Sequence, residues 1–465
     1  MAYGNNIIKN LYYKSPFIVK NLIASIYGYN ARCKRYGKYY TLWYDYLKKS
    51  QYFSNSDLIK ARDNNTIEFI NKVLQELPFY SQLYNVTSIN NIDEIKKLPL
   101  VTKLDIKRNI ELLKNKKIKN VIYSHSSGTT GSSIIFPITE ECFQREYAFR
   151  ALHYSWSGVD LNKKPRIATF SGHPVTNVKK NKPPFWVYDY ANNWLIFSSY
   201  HMSDQLLKFY VKEIESFDPD LIHGYPSSVY LIALSYKKFG KSLKNLKAIY
   251  TASETLLPFQ RAAIEDAFQV KVYNWYGNSE MCANIVECEK GNLHLKYEHS
   301  YVEILNENKE ECRPGEKGRL VCTGFGNPAF PLIRYDIKDE VVVSENQECP
   351  CGRSGLIIKE IIGRVEDYII TPSGRSIGRL DHLFKDTLNI IEAQVYQSKI
   401  DEVELRIVTN NNVLDPADEK KIWDEVKLRF SDEIKVKIVP VKKIERGPNN
   451  KFRFILSEIK TGDLK

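Results

Sequence analysis

The chain has 465 residues, 43% hydrophobic and 26% charged, enough for two or more domains with real cores. Lys and Arg number 67 against 55 Asp and Glu, a net +12, and residues 1–50 hold nine of the bases against Asp45 alone. No run approaches the roughly 18 apolar residues that cross a bilayer, the start has no signal-peptide pattern, and eight Cys form no disulfide scaffold, so a cytoplasmic location is expected.

Residues 5–50 interleave aromatics with bases, as in Tyr27, Tyr29, Tyr36 and Tyr39-Tyr40 around Arg32-Cys33-Lys34-Arg35. Helical turns are expected, with Tyr and Lys/Arg stems over apolar surface and polar tips in water. Three uses stay open: a solvated face, a peripheral contact with anionic lipid, or a single-stranded nucleic acid. No RNA-binding signature accompanies the pattern, so no nucleic-acid partner is expected. Residues 56–86 read as a capped amphipathic helix with a stop at Leu77-Pro78.

Tyr123–Ser133 packs five Ser, two Thr and two Gly into eleven residues between apolar pairs. It reads as a hairpin tip whose hydroxyls and bare N–H groups could donate to phosphate oxygens. It is not a Walker A loop, and a solvated Ser/Thr linker is the alternative. From about 120 to 340, runs such as Arg166–Phe170, Leu221–His223, Ala248–Tyr250 and Val270–Tyr273 alternate with helical patterns. That texture predicts βαβ units and a largely parallel sheet. It changes after Gly363, which places a domain boundary near 363–367.

Five segments, in order, resemble the adenylate-forming superfamily, whose members include acyl-CoA synthetases and peptide-synthetase adenylation domains. They are Ser126-Ser127-Gly128-Thr129-Thr130-Gly131, Tyr250–Glu254, Tyr276-Gly277-Asn278-Ser279-Glu280, Arg334–Asp339 and Gly363–Tyr368. Gly447-Pro448-Asn449-Asn450-Lys451 stands where that family keeps an essential lysine. The resemblance implies an α/β fold: a large multi-subdomain N-terminal adenylation domain over 1–363, with mostly parallel sheets, and a small α+β swinging lid over 364–465. It implies ATP and Mg²⁺, a small carboxylic acid, and an acceptor that is CoA, a carrier protein or an amino sugar. It also allows a homodimer.

By the same resemblance, the residues from Ser126 to Gly131 cradle the β- and γ-phosphates. Ser253, Glu254, Tyr276 and Gly277 flank adenine, with Tyr276 stacked on it. Ser279 meets the α-phosphate, and Glu280 holds Mg²⁺, a hard cation that seeks carboxylates. Asp339 takes the ribose hydroxyls with Arg364 nearby. Lys451 bridges phosphate and attacking carboxylate, Glu366 is the hinge, and Gly374 faces the pantetheine. Such chemistry consists mainly of positioning groups and neutralising spreading charge. An inactive scaffold of this fold is the rival, and the intact Glu280, Asp339, Arg364 and Lys451 speak against it.

A closer likeness is to the phenylacetate–CoA ligase branch and its CapK-type proteins of capsule and O-antigen clusters, through Glu287–His294, Tyr301–Leu305, Pro331–Asp336 and Glu348–Arg353. This implies a role in surface-polysaccharide assembly. Cys288, His294, Cys349 and Cys351 suit a closed, structural Zn²⁺ site, with buried free thiols as the alternative. Three departures stand out: Ser132-Ser133 for Pro-Lys after the phosphate loop, Glu366 at the hinge, and Lys338 for a common Gly before Asp339. His125, His173 and His223 could line an acid pocket or be structural.

Overall fold

The computed structural model describes residues 11–125, 134–172, 175–177, 180–364, 369–372, 376–377, 380–384, 387, 390–409, 413–430, 434–447 and 452–459. Strands β1 (Ile122–His125) and β2 (Ile135–Ile138) pair antiparallel, Ile122 opposite Ile138 and His125 opposite Ile135. The predicted hairpin is therefore present at its base. Its tip, residues 126–133, lies outside the described residues, as do Glu366, Gly374, His173 and Lys451.

A twelve-stranded sheet carries the first 364 residues. Its parallel block runs β8 (Val272–Gly277), β7 (Ala248–Ala252), β6 (Leu221–Gly224), β3 (Ile167–Ser171), β5 (Trp194–Ser198). The inner strands β3, β6 and β7 are largely buried on both faces, which is why they read as continuous apolar runs. The α/β class holds, but within this sheet parallel pairing is confined to this block. From β9 (Asn284–Glu287) through β10 (Leu293–Leu295), β11 (Tyr301–Leu305), β12 (Lys317–Gly324), β13 (Leu332–Val343) and β14 (Ile357–Arg364), every pair is antiparallel. Links as short as residues 288–292 cannot make the dozen-residue crossover that parallel neighbours need.

At the other edge β4 (Trp186–Asp189) pairs antiparallel with β5 and is covered by helix α1 (Phe17–Arg35). Asn21 Oδ1 accepts from the Tyr188 N–H at 3.1 Å, and Ser25 Oγ from the Tyr190 N–H at 3.0 Å. Gly28 lets the helix approach closely, since a Cβ there would lie 2.0 Å from Asp189 Oδ2. Helix α2 (Lys38–Ser50) follows. The predicted helix over 56–86 is in fact two. α3 (Asn55–Glu76) is capped by Ser54, whose side chain accepts from the Asp57 N–H, and α4 (Pro78–Tyr84) begins at the proline. Proline suits a first helical turn, where its missing N–H has no partner to lose.

Beyond Arg364 the chain builds a four-stranded sheet ordered β17 (Lys435–Pro440), β16 (Glu402–Thr409), β15 (Ile390–Lys399), β18 (Ile455–Ser457). A separate core of Leu380, Leu383, Val395, Leu405 and Ile422 sits under it.

Candidate active site

Three parallel strands end together, and the motif residues follow their ends. Ser253 and Glu254 leave β7, with Ser253 in the left-handed region at φ 74°. Tyr276 and Gly277 close β8, and Ser279 and Glu280 follow. A Cβ on Gly277 would come within 2.7 Å of Trp275 Nε1, so the glycine allows the strand to end against that indole.

Tyr276 Oη donates to Asp339 Oδ2 at 2.6 Å, joining two motifs 63 residues apart. Burial, reinforced by the Asp339 carboxylate, pushes the Tyr276 phenol far above its usual range, so it remains a donor. Asp339 lies on β13 in register with Arg364 of β14, which brings the fourth and fifth motifs side by side. The hairpin joins the same place: Phe136, Ile134 and Ile138 share one apolar cluster with Tyr276, Met281 and Cys282. Asn327 Nδ2 anchors it by donating to the Pro137 carbonyl at 3.0 Å.

Glu254 carries a link that no sequence pattern announces. Its Oε2 accepts from the Ser227 N–H at 3.1 Å, at the start of a helix, α5 (Pro226–Phe239). Its Oε1 accepts from the Phe452 N–H at 2.6 Å, 198 residues away. Phe452 follows Lys451 directly, so the backbone beside the expected lysine is fastened to the end of β7. Burial raises the Glu254 pKa, while the Phe452 and Ser227 bonds oppose that rise.

Arg334 behaves differently from its place in a motif. Its guanidinium makes a buried two-pronged pair with Glu303 at 2.9 and 2.7 Å, and it also donates to the Lys96 carbonyl at 2.8 Å. It fastens the sheet to the 92–98 turn rather than reaching the strand ends. His223 is hydrogen-bonded with the Tyr154 hydroxyl, and burial holds its imidazole at a pKa of about 3, neutral at physiological pH.

Cys288, His294, Cys349 and Cys351 converge, their ligand atoms all within 4.8 Å of one another. Cys288 Sγ and Cys349 Sγ are 3.7 Å apart, and Cys351 Sγ lies 3.5 Å from His294 Nε2. A tetrahedral zinc with bonds of about 2.3 Å to sulfur and about 2.0–2.1 Å to nitrogen has S–S edges of roughly 3.8 Å and S–N edges of roughly 3.6 Å. The donor set fits. Hydrogen bonding with Cys288 holds the Cys351 thiol down, to a pKa of about 2, with His294 and the Arg353 N–H assisting, while Cys288 itself is pushed up. The Lys290 and Arg353 N–H groups each donate to a sulfur two residues back, at 3.4 Å, and Asn292 Nδ2 donates to Cys349 Sγ at 3.0 Å.

The fold is one shared with solved CoA ligases, and the motif residues meet on it. Solved structures of similar shape include a 2-hydroxyisobutyryl-CoA ligase in its postadenylation state, with TM-score 0.62 and 16% identity, spanning 86% of this chain and 90% of that one. An anthranilate CoA ligase bound to anthranoyl-AMP gives TM-score 0.52 at 13% identity, over 78% of this chain and 74% of that one. Protein CapK of Staphylococcus aureus is 28% identical over 98% of this chain and all of that one. A phenylacetate-coenzyme A ligase of Thermus thermophilus is 30% identical over 34% of this chain and 37% of that one. The family model described as the CapK C-terminal domain matches residues 369–458. Over nearly its whole length the chain is thus similar to Protein CapK, and its C-terminal part matches the CapK C-terminal domain.

Proposed function

We propose that this protein uses ATP to activate a carboxylic acid as its acyl-AMP and passes the acyl group to a thiol, CoA or a carrier pantetheine, in surface-polysaccharide assembly. The observation that carries the reading is the Tyr276–Asp339 hydrogen bond, which brings an adenine-side and a ribose-side motif to one place. In the first step a carboxylate oxygen bonds to the α-phosphorus and the bond to the β-phosphate bridge breaks, releasing pyrophosphate. In the second, the thiol sulfur bonds to the acyl carbon, its proton is lost to solvent, and AMP leaves.

The Ser126–Gly131 loop, Thr129 and Thr130 above all, cradles the outer phosphates. Ser253, Glu254, Tyr276 and Gly277 frame the adenine, with Asp339 on the ribose and Arg364 beside it. Ser279 meets the α-phosphate, and Lys451 lies between that phosphate and the acid. Glu280 fits Mg²⁺, which when bound neutralises charge on the phosphate oxygens. The Glu254–Phe452 bond supports this placement of Lys451, because it holds the neighbouring backbone at the strand ends. Residues 364–465 form a lid turning at Glu366, so that Lys451 serves one step and Gly374 the other. Cys288, His294, Cys349 and Cys351 hold a structural zinc.

The test is pyrophosphate release across a panel of amino, hydroxy and aryl acids, with hydroxylamine trapping in the presence and absence of CoA. An acid-dependent release with a CoA-dependent product is expected. No acid-dependent release refutes the activation step. Release whose product changes with neither CoA nor added pantetheine refutes the thiol step in favour of direct transfer to an amine.

A further inference from the structure

The face that α1 turns away from the protein is the apolar one. Lys20, Asn21, Ala24 and Gly28 are buried toward β4, while Ile18, Leu22 and Ile26 stand 80%, 59% and 55% exposed. Their spacing of four residues puts these three on one stripe. Tyr29, one helical turn further along, extends it and is also exposed. A helix on a protein surface ordinarily does the reverse. Because the Asn21 and Ser25 side chains are both hydrogen-bonded to the strand beneath, the helix cannot roll to bury the stripe.

A cavity of about 420 Å³ lies at the start of this helix, lined by Tyr13, Ser15, Lys20, Thr176, Asn177 and Lys180. Ser15 and Lys20 bracket Ile18 in the chain. Among the described residues no carboxylate pairs with Lys20 or Lys180; Lys180 Nζ donates to the Pro184 carbonyl at 3.0 Å, and Lys20 Nζ sits 5.8 Å from the Tyr12 ring centre. The Lys20 side chain is buried, and Thr176, also buried, has a hydroxyl with no hydrogen-bond partner. Burial lowers the pKa of both lysines, and for Lys180 the Lys20 charge adds to the effect, as for a pair lacking its counter-ion. The exposed Lys14 and Lys34 add to the basic surface around the stripe.

We propose that this face docks on a bilayer surface, the Lys20–Lys180 cavity receiving the phosphate of an anionic lipid headgroup while Ile18, Leu22 and Ile26 enter the acyl boundary. Two uncompensated lysines in a cavity beside an apolar stripe match an amphiphile with phosphate at one end, and a soluble anion would leave the stripe without purpose. The basic excess of the first fifty residues acts in the same direction.

The experiment is co-sedimentation of the full chain with phosphatidylcholine vesicles with and without phosphatidylglycerol. Binding only to the anionic vesicles, falling with salt, is expected. Lys180→Met should weaken it about fivefold. The triple variant Ile18→Ser, Leu22→Ser, Ile26→Ser should weaken it by about tenfold or more while leaving circular dichroism and pyrophosphate release unchanged, since all three side chains face water. Equal binding to both vesicle types, or parental binding by either variant, would overturn the proposal. So would inorganic phosphate raising the unfolding temperature as far as anionic vesicles do, which would mark a soluble-anion site. A triple variant that turns a dimer into a monomer would assign the stripe to a second copy and overturn it equally.

Discussion

Replacing Glu254 tests the coupling between the two halves of the molecule most directly. The carboxylate accepts two backbone N–H groups, one from Ser227 in the first half and one from Phe452 in the second. Only the Phe452 bond depends on how the C-terminal sheet is docked. A hydrogen bond to a charged group contributes about 1.5–3 kcal/mol, so Glu254→Ala should shift the docked pose by roughly tenfold to a hundredfold. Glu254→Gln keeps an acceptor without the charge and should fall between the variant and the parent. Acyl-AMP formation by pyrophosphate exchange would drop accordingly. Thioester formation from supplied acyl-AMP, which on our reading uses another pose of the lid, would change much less. Equal losses in both half-reactions would refute the reasoning, because the effect would then come from the adenine that Glu254 frames or from stability, and not from the Phe452 bond.

Lys451→Ala should lower acyl-AMP formation by about 10²–10³ while ATP binding, followed by equilibrium dialysis, stays largely intact. Protein purified without chelator should hold one equivalent of zinc, and Cys351→Ser should lose it together with several degrees of unfolding temperature. The loop concerned also carries Arg353, which donates to Gln51 at 3.0 Å and to Glu289 at 2.6 Å. His153 is buried and held at a pKa of about 3, down from 6.5, chiefly by desolvation. The unfolded chain therefore binds its proton first as pH falls. Stability from this group is full above 6.5 and declines by about 1.4 kcal/mol per pH unit below that, until about 3. Urea midpoints between pH 7.5 and 5.5 should fall in this direction, with His223 adding its own contribution, and the fall should be shallower in His153→Gln.

What the sequence disclosed and what it concealed follow the range of the interactions. The hairpin base, the buried parallel strands and the zinc-type cluster were legible, because each rests on a local pattern or on chemistry that few residues share. Lys338, noted as a departure from glycine, sits at φ 69°, where glycine is favoured, and it makes an ion pair with Asp336 at 2.9 Å. The antiparallel half of the sheet was harder to read, since apolar strand runs look alike in either direction. Arg334 stands in a nucleotide motif by sequence, yet its pairing with Glu303 is a buried structural contact that only the fold brings about. The Glu254–Phe452 bond had no signal at all: a backbone N–H carries no residue code, and the partners are 198 positions apart.

The way α1 is fastened has a bearing on how shortened forms of this chain would behave. By taking up main-chain donors just at and beyond β4, the side chains of Asn21 and Ser25 do for that border what a further strand would otherwise do. A chain trimmed to begin after Arg35 would offer this border to its neighbours, and copies could then add one to another along it. Helix α1 thus acts as a stop on lateral growth.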